Sequence, residues 1–135
     1  MPSIRMHGRA LFRTASENAD DGRMIELLLQ AERAMSVGQL DQAERLYRQA
    51  ADADPRNSIA VVGLARVALE RSDDASALTL ARRALAIDPE NIAAGRMAER
   101  LEEVIRYRGD EPPPRESEPA PRARRSILDR IRRRA

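Results

Sequence analysis

Cysteine is absent from this 135-residue sequence, and histidine occurs once, as His7. The lack of cysteine excludes disulfides, thiolate catalysis and cysteine-based metal sites. A single histidine cannot complete a metal site without help from carboxylates, so His7 fits an exposed surface residue better. The composition therefore predicts neither a metal centre nor a cysteine-dependent enzyme.

Aromatic residues are almost as scarce. The sequence contains Phe12, Tyr47 and Tyr107 and no tryptophan, and its apolar residues are mostly alanine, leucine, isoleucine and valine. Small aliphatic side chains favour helices that approach each other closely over a sandwich of sheets, which draws on aromatic and β-branched residues. Because helix-forming residues dominate throughout, the sequence predicts an all-α fold.

The sequence has no long apolar run. Its first residues include Arg5, Arg9 and Arg13 and lack the apolar stretch of a signal peptide. No segment reaches the length needed to cross a membrane. We therefore expect a soluble cytoplasmic protein, with peripheral contact at a membrane surface as an alternative.

Charge is distributed unevenly along the chain. Residues 119–135 contain seven arginines against one aspartate, whereas residues 24–118 have a net charge near −5. All basic residues are arginine, because the sequence contains no lysine. The sequence therefore describes an acidic body with a basic tail.

Composition divides the chain into four segments. Residues 1–23 end in the turn-rich SENADDG and are expected to be irregular, whereas residues 24–108 are strongly helical. Residues 109–121, GDEPPPRESEPAP, concentrate proline and charge and predict an extended linker. Residues 122–135 form the basic tail, and we expect this proline- and arginine-rich C-terminal part to be disordered.

The helical segment predicts five amphipathic helices, with apolar residues returning every three or four positions. Residues that start or stop helices separate them. Asp41, with Glu44 three residues later, suits a capping box for the second helix. The other start and stop signals are Asp21-Gly22, Gly38, Pro55, Asn57, Ser72-Asp73-Asp74, Pro89 and Asn91.

One phrase occurs twice. The sequence QAADADPRN at residues 49–57 is nearly repeated by RALAIDPEN at residues 83–91, 34 residues later. Small and apolar residues match at the same spacing: Ala31 with Ala65, Ala34 with Ala68, Ala43 with Ala77, Leu46 with Leu80 and Ala50 with Ala84. Self-similarity at this period indicates a repeat architecture.

The repeat resembles the tetratricopeptide repeat family, whose pattern has small residues in the first helix, glycine at the turn, alternating alanine and large residues in the second helix, and a final proline. The first repeat, residues 24–57, supplies Leu27, Ala31, Gly38, Ala43, Tyr47, Ala50 and Pro55. The second, residues 58–91, supplies Val61, Leu64, Ala65, Ala77, Ala84 and Pro89. It departs from the pattern with Ser72 in place of glycine and Ala81 in place of an aromatic residue.

Residues 92–108 resemble the helix that caps such arrays. Glu99 and Glu102 stand where small residues would pack against a further helix, which suits a surface exposed to solvent. The resemblance therefore implies a short right-handed solenoid of helical hairpins, with two repeats and a capping helix.

Members of this family bind extended peptides or helices on the concave surface formed by the first helix of each hairpin. An aliphatic groove with Arg66, Arg96 and Arg100 beside it suits an apolar segment that bears an acidic group. The alternative is that Leu28, Leu29 and Met35 are buried, either by the N-terminal segment or by a second copy of the chain in a homodimer. The resemblance implies that the groove is lined by Ile25, Leu28, Glu32, Met35, Ile59, Val62, Arg66, Leu69, Arg96, Met97 and Arg100.

The basic tail predicts a second recognition element. Ser126 suits the N-cap of a short helix with one apolar face, which would bind an anionic membrane surface or a partner groove. The alternatives are a solvated tail and one that folds back onto the acidic body, while nucleic acid is disfavoured because no aromatic residue is available for base stacking. The candidate tail residues are Arg124, Arg125, Ile127, Leu128, Arg130, Ile131, Arg132, Arg133 and Arg134.

Catalytic patterns are missing from the sequence. It has no glycine-rich phosphate loop, no nucleophile and base in a recognisable arrangement, and no metal-ligand spacing. We therefore expect a non-catalytic protein without a cofactor, acting as an interaction module or adaptor whose partner is another protein.

Overall fold

The computed structural model describes residues 15–115 of the chain. This part is all-helical: it contains five helices and no strand. The first two pairs of helices form hairpins, and the fifth helix packs on the second hairpin. The helices are α1 (Ala15–Ser36), α2 (Leu40–Ala53), α3 (Ser58–Glu70), α4 (Asp74–Ile87) and α5 (Ile92–Tyr107).

Helix α1 is longer than the sequence predicted. It begins at Ala15, so the expectation that residues 15–23 would be irregular is wrong. Two physical features explain the extension. Glu17 and its neighbouring aspartates lie near the positive end of the helix dipole, and Gly22 lowers helix propensity by only about 1 kcal/mol. Residues 1–14 and 116–135, which include the predicted basic tail, lie outside the described residues.

Each helix packs against the next one along the chain, and α1 also touches α3. The core is built mainly from alanines at the helix–helix contacts, as the 34-residue pattern predicted. Fully buried positions include Ala31, Ala43 and Ala50 in the first hairpin and their equivalents Ala65, Ala77 and Ala84 in the second. Small side chains at these positions allow the close helix approach of a solenoid.

The repeated phrase ends one hairpin and begins the next helix. The side chain of Asn57 accepts a hydrogen bond from the Ala60 amide at 3.2 Å, and that of Asn91 accepts one from the Ala94 amide at 3.1 Å. Asn91 also donates from Nδ2 to Oγ of Ser58 at 3.0 Å, which joins the starts of α3 and α5. These caps confirm the predicted starts of both helices.

The predicted cap of α2 is wrong. The N-cap is Gln39, which makes no side-chain capping bond, and Asp41 lies inside the first turn. The chain leaves α1 through Gly38 at φ 77°, and the Gln39 amide bonds back to the Ala34 carbonyl at 2.9 Å. Because of this turn, α2 begins at Leu40, one residue before Asp41. Asp41 instead forms an ion pair with Arg71 at the end of α3.

Tyr47 fixes how the first hairpin meets α3. Its ring is 1% exposed, and it lies where a Cβ atom at Gly63 would be, so only glycine permits this approach. The positions 34 residues later are Ala81 and Met97. In the second hairpin the large side chain therefore comes from α5, and Met97 packs against the buried cluster that contains Ala81. Each interface thus pairs one large with one small residue, but the large residue lies on α2 in the first interface and on α5 in the second.

The chain after α5 crosses the end of the helical array. Residues 109–115, which we call the strap, lack regular secondary structure and pass over α4 and α5, where Arg82 donates a hydrogen bond to the carbonyl of Pro113. In the repeat register they correspond to residues 75–81 of α4. The strap thus stands where the second helix of a third hairpin would begin, and its three consecutive prolines prevent that helix.

We expect Gly63→Ala to destabilise the fold by about 1–3 kcal/mol, because the new methyl group overlaps the buried Tyr47 ring. Gly95→Ala is the matched control, since its Cβ would meet only Leu85 at 3.9 Å. That variant should be neutral or more stable by up to about 1 kcal/mol through helix propensity. Urea unfolding measures both, and equal effects would contradict the Tyr47 contact.

We expect Ser72→Gly to stabilise the fold by about 0.5–1 kcal/mol. Ser72 has φ 60°, and the turn after it repeats the Gly38 turn, with the Asp73 amide bonded to the Ala68 carbonyl at 2.9 Å. Left-handed backbone is costly for serine and not for glycine. The reciprocal Gly38→Ser should lose a similar amount in the same urea experiment. Destabilisation by Ser72→Gly would show that the serine is not strained.

Candidate functional site

The predicted groove residues occupy recurring positions on α1, α3 and α5, the three helices that the resemblance assigns to one surface. Ile25 and Ile59 are equivalent positions, as are Glu32, Arg66 and Arg100. Their exposure differs widely. Ile25, Glu32, Ile59, Leu69, Arg96 and Arg100 are exposed, Leu28, Met35, Arg66 and Met97 are half-buried, and Val62 is buried.

Several of the aliphatic candidates are part of the core. Leu28 and Met35 pack against the buried cluster around Tyr47 and Val67, and Val62 lies in a cluster with Met97 packed against it. Ile25 and Ile59, in contrast, are 58% and 63% exposed. Among the predicted groove residues, the exposed apolar surface is therefore contributed chiefly by these two isoleucines, with Leu69 40% exposed farther along α3.

Glu32 connects three helices. Its Oε1 accepts a hydrogen bond from the Tyr47 hydroxyl at 2.5 Å and another from Nη1 of Arg66 at 2.5 Å. Tyr47 is on α2 and Arg66 on α3, so a single carboxylate on α1 holds the ends of both side chains. The network lies among the predicted groove residues and fixes the positions of Glu32 and Arg66.

These contacts change the acidity of the groups involved. Burial raises the pKa of Glu32, but the hydrogen bond from Tyr47 and the bond and charge of Arg66 outweigh it, so the pKa lies below the ordinary glutamate value. Burial, followed by the neighbouring Glu32 carboxylate, raises the pKa of the Tyr47 phenol well above its usual range. The phenol thus remains a donor and the carboxylate an acceptor at neutral pH.

The positive charges of Arg96 and Arg100 are not neutralised by any described residue. They are one turn apart on α5, both are exposed, and neither forms an ion pair within residues 15–115. Arg66, the third arginine of the predicted cluster, is paired with Glu32. Of the three predicted arginines, the two on α5 are thus the ones without an ion-pair partner in the described part of the chain.

The sequence reasoning missed the role of Tyr47 in this surface. It assigned Tyr47 to the repeat pattern only, and the hydroxyl bond to Glu32 has no signature in a sequence. The pairing of Glu32 with Arg66 did leave a signal, because opposite charges stand 34 residues apart at equivalent positions of the repeat. In a solenoid such positions are neighbours, so a charge comparison across the repeat finds the pair.

Two classes of feature are missing from the described part of the chain. No group of three or more histidine, cysteine, aspartate or glutamate side chains among residues 15–115 is arranged to hold a metal ion. None of the helices α1–α5 is long and apolar enough to cross a membrane.

We expect the stabilising effect of Glu32 to disappear in acid. Because the folded-state pKa is lowered, the contribution is complete above the ordinary glutamate pKa of about 4.3 and is lost as the pH falls through the lower folded value. At pH 7 Glu32→Gln should cost about 1 kcal/mol, since the pair is half exposed. Urea unfolding at pH 7 and near pH 3 should show the difference shrinking toward zero.

The matched control is Glu99→Gln, which removes an exposed carboxylate that has no hydrogen-bond partner among the described residues. It should not produce a pH-dependent loss of this size. A cost for Glu32→Gln that is the same at both pH values would contradict an ionised Glu32 as the acceptor of both bonds.

Comparison with known proteins supports the repeat interpretation. A family model described as tetratricopeptide repeat matches residues 28–92, from the middle of α1 to the first residue of α5. A search of curated proteins gives no significant match. The matched region contains the C-terminal part of α1, helices α2–α4, the repeated proline and asparagine, and the Tyr47 contact. Residues 28–92 thus match the tetratricopeptide repeat family.

Proposed function

We propose that this protein is a non-catalytic adaptor that binds an apolar segment bearing an acidic group across α1, α3 and α5. Tetratricopeptide repeats generally mediate protein–protein interaction, and typical members are not enzymes. Within this class the chemistry of the exposed side chains decides what kind of segment fits.

The proposal rests on one observation. Exposed aliphatic side chains on α1 and α3 are followed, on α5, by arginines without an ion pair among the described residues. Ile25 and Ile59 expose more than half of their surface on neighbouring helices. Arg96 and Arg100 follow on the next helix without an ion pair within the described residues. A segment that covers the isoleucines therefore meets unneutralised positive charge at the capping helix.

The spacing of the helices limits the segment further. Packed helices lie about 8–10 Å apart, and an extended chain advances about 3.3 Å per residue. A partner in extended conformation therefore has its acidic residue roughly three positions from the aliphatic residue that covers Ile59. Burying that aliphatic contact supplies affinity, and the bidentate arginine contact supplies orientation.

The Glu32–Arg66 pair lies on the same two helices as the exposed isoleucines, at the repeat position equivalent to Arg100. The carboxylate already satisfies the Arg66 guanidinium, so a partner's acidic group would have to displace Glu32 to reach it. Such a displacement would also break the Tyr47 bond. The proposal therefore assigns recognition of the acidic group to Arg96 and Arg100 rather than to Arg66.

Selection from a random peptide display library on the immobilised full chain tests the proposal. The expected peptides share an aliphatic residue and an aspartate or glutamate about three positions away. Ile59→Ser should weaken binding of the selected peptides by about tenfold or more, because an aliphatic contact of this kind is worth roughly 1.5–3 kcal/mol. Arg96→Gln with Arg100→Gln should remove the preference for the acidic residue.

Two controls separate this surface from other contributions. Val37→Ser removes an equally exposed aliphatic side chain at the α1–α2 turn and should leave binding unchanged, since Val37 is 69% exposed away from the predicted groove. The basic tail is retained in every variant. A preference for acidic peptides that survives the loss of Arg96 and Arg100 would therefore come from the tail and contradict the proposal, as would equal losses in the Ile59 and Val37 variants.

A further inference from the structure

Helix α1 carries two charges and a leucine on a side that is exposed in the described part of the chain. Glu26, Leu29 and Arg33 follow each other at spacings of three and four residues, so they lie on one face of the helix. Glu26 and Arg33 are exposed, and Leu29 is 48% exposed. We call these three residues the α1 stripe. None of them is a predicted groove residue, so the stripe is independent of the proposed function.

The repeat shows what this side of a helix does elsewhere in the array. In α3 and α5 the equivalent positions face the preceding hairpin: Gly63 contacts the Tyr47 ring of α2, and Leu101 lies in a buried cluster with Leu78 of α4. In α1 the same stacking surface is exposed and bears two charges, which a further hairpin of this kind would bury at a cost. The equivalent residues are small or apolar: Ala60, Gly63 and Val67 in α3, and Ala94, Met97 and Leu101 in α5.

Neither charge of the α1 stripe is balanced by an ion pair within residues 15–115. Glu26 accepts a hydrogen bond from Nε2 of the neutral Gln30 at 3.1 Å, and Arg33 forms no ion pair with a described residue. The two charged residues are separated by about 10 Å along the helix axis. The stripe therefore presents an acid and a base on either side of a leucine.

This order of charges is complementary to itself. The midpoint between Glu26 and Arg33 lies between Leu29 and Gln30. When two copies of α1 run antiparallel about a two-fold axis at that midpoint, Glu26 of each protomer lies opposite Arg33 of its partner. The two Leu29 side chains then meet beside the axis. A second copy of the chain thus supplies both missing ion-pair partners by symmetry.

The length of α1 limits the strength of such a contact. A helix of 22 residues is about 33 Å long and about 10 Å wide, so two paired α1 helices bury less than the roughly 1,600 Å² of a standard protein interface. Interfaces below about 1,200 Å² are typical of weak and transient complexes. A contact confined to α1 is therefore expected to dissociate on dilution.

We propose that this protein forms a reversible homodimer through the antiparallel pairing of two α1 helices. In this dimer Glu26 of each protomer binds Arg33 of the other, and Leu29 packs against its symmetry mate. The pairing joins the two arrays at α1, so that α5 lies at the far end of each. A different protein on the α1 stripe is the competing occupant.

Sedimentation velocity of the full-length chain over a series of concentrations tests the proposal. The unaltered chain should shift from monomer to dimer as its concentration rises. Glu26→Arg and Arg33→Glu should each weaken the dimer by roughly tenfold or more, because the symmetry places two pairs of like charges in the contact. Leu29→Ser should weaken it as well. All three side chains are exposed, so the fold should be retained, which the helical circular dichroism signal checks.

Mixing the two charge variants distinguishes specific pairing from a general effect of charge. The Glu26→Arg chain has two positive residues in the stripe and the Arg33→Glu chain has two negative ones, so each repels its own copy and attracts the other. An equimolar mixture should therefore recover the dimer, and so should the double variant by itself. Glu103→Arg is the matched control, since it makes the same change of charge at an exposed position of α5 without an ion pair among the described residues. It should leave the dimer intact.

Three results would overturn the proposal. The first is a monomer at every concentration up to about 1 mM, which would leave the α1 stripe to a different partner. The second is a dimer whose strength does not respond to either charge reversal. The third is a loss of association that the mixture fails to restore, or that Glu103→Arg reproduces, which would show that the antiparallel ion pairs do not hold the dimer together.

Discussion

The close approach of Tyr47 to Gly63 is the contact on which the rest of this fold depends. It lets an aromatic ring from α2 reach α3 without a gap, and it aims the hydroxyl at Glu32 on α1. Because Glu32 also binds Arg66, one packing contact sets the relative positions of three helices and of two charged side chains at the surface. Packing in the core and electrostatics at the candidate site are therefore consequences of the same residue.

The second hairpin shows that the repeat conserves volume rather than residue type. Ala81 and Met97 take the positions of Tyr47 and Gly63, and the flexible methionine fills from α5 what the tyrosine fills from α2. This exchange explains why the second repeat matches the family pattern less well while forming an equivalent core. At the first interface the Tyr47 hydroxyl donates a hydrogen bond to Glu32 at the surface. At the second interface neither Ala81 nor Met97 has a hydroxyl group, so no equivalent bond forms.

Much of the fold was predictable because its signals are local. Proline, asparagine and the left-handed glycine act within a turn of the chain, so the ends of α2, α3 and α4 follow from single residues such as Pro55 and Asn57. The start of α1 was predicted wrongly because Asp21-Gly22 was interpreted as a helix start signal, whereas both residues lie inside α1. At the candidate site the sequence identified exposed arginines on α5. The pairing of Glu32 with Arg66 was available from a charge comparison across the repeat, but the burial of Val62 was not, because it depends on contacts between helices.

The strap has a consequence for the length of segment that the proposed binding surface would accept. Within residues 15–115, where three prolines prevent the second helix of a third hairpin, the proposed binding surface is formed by α1, α3 and α5. Three helices spaced about 8–10 Å apart give a footprint of roughly 20 Å, or about six extended residues. A surface of this length suits brief, reversible contacts with short linear motifs, and high avidity would have to come from presenting several copies of the protein or of the motif together.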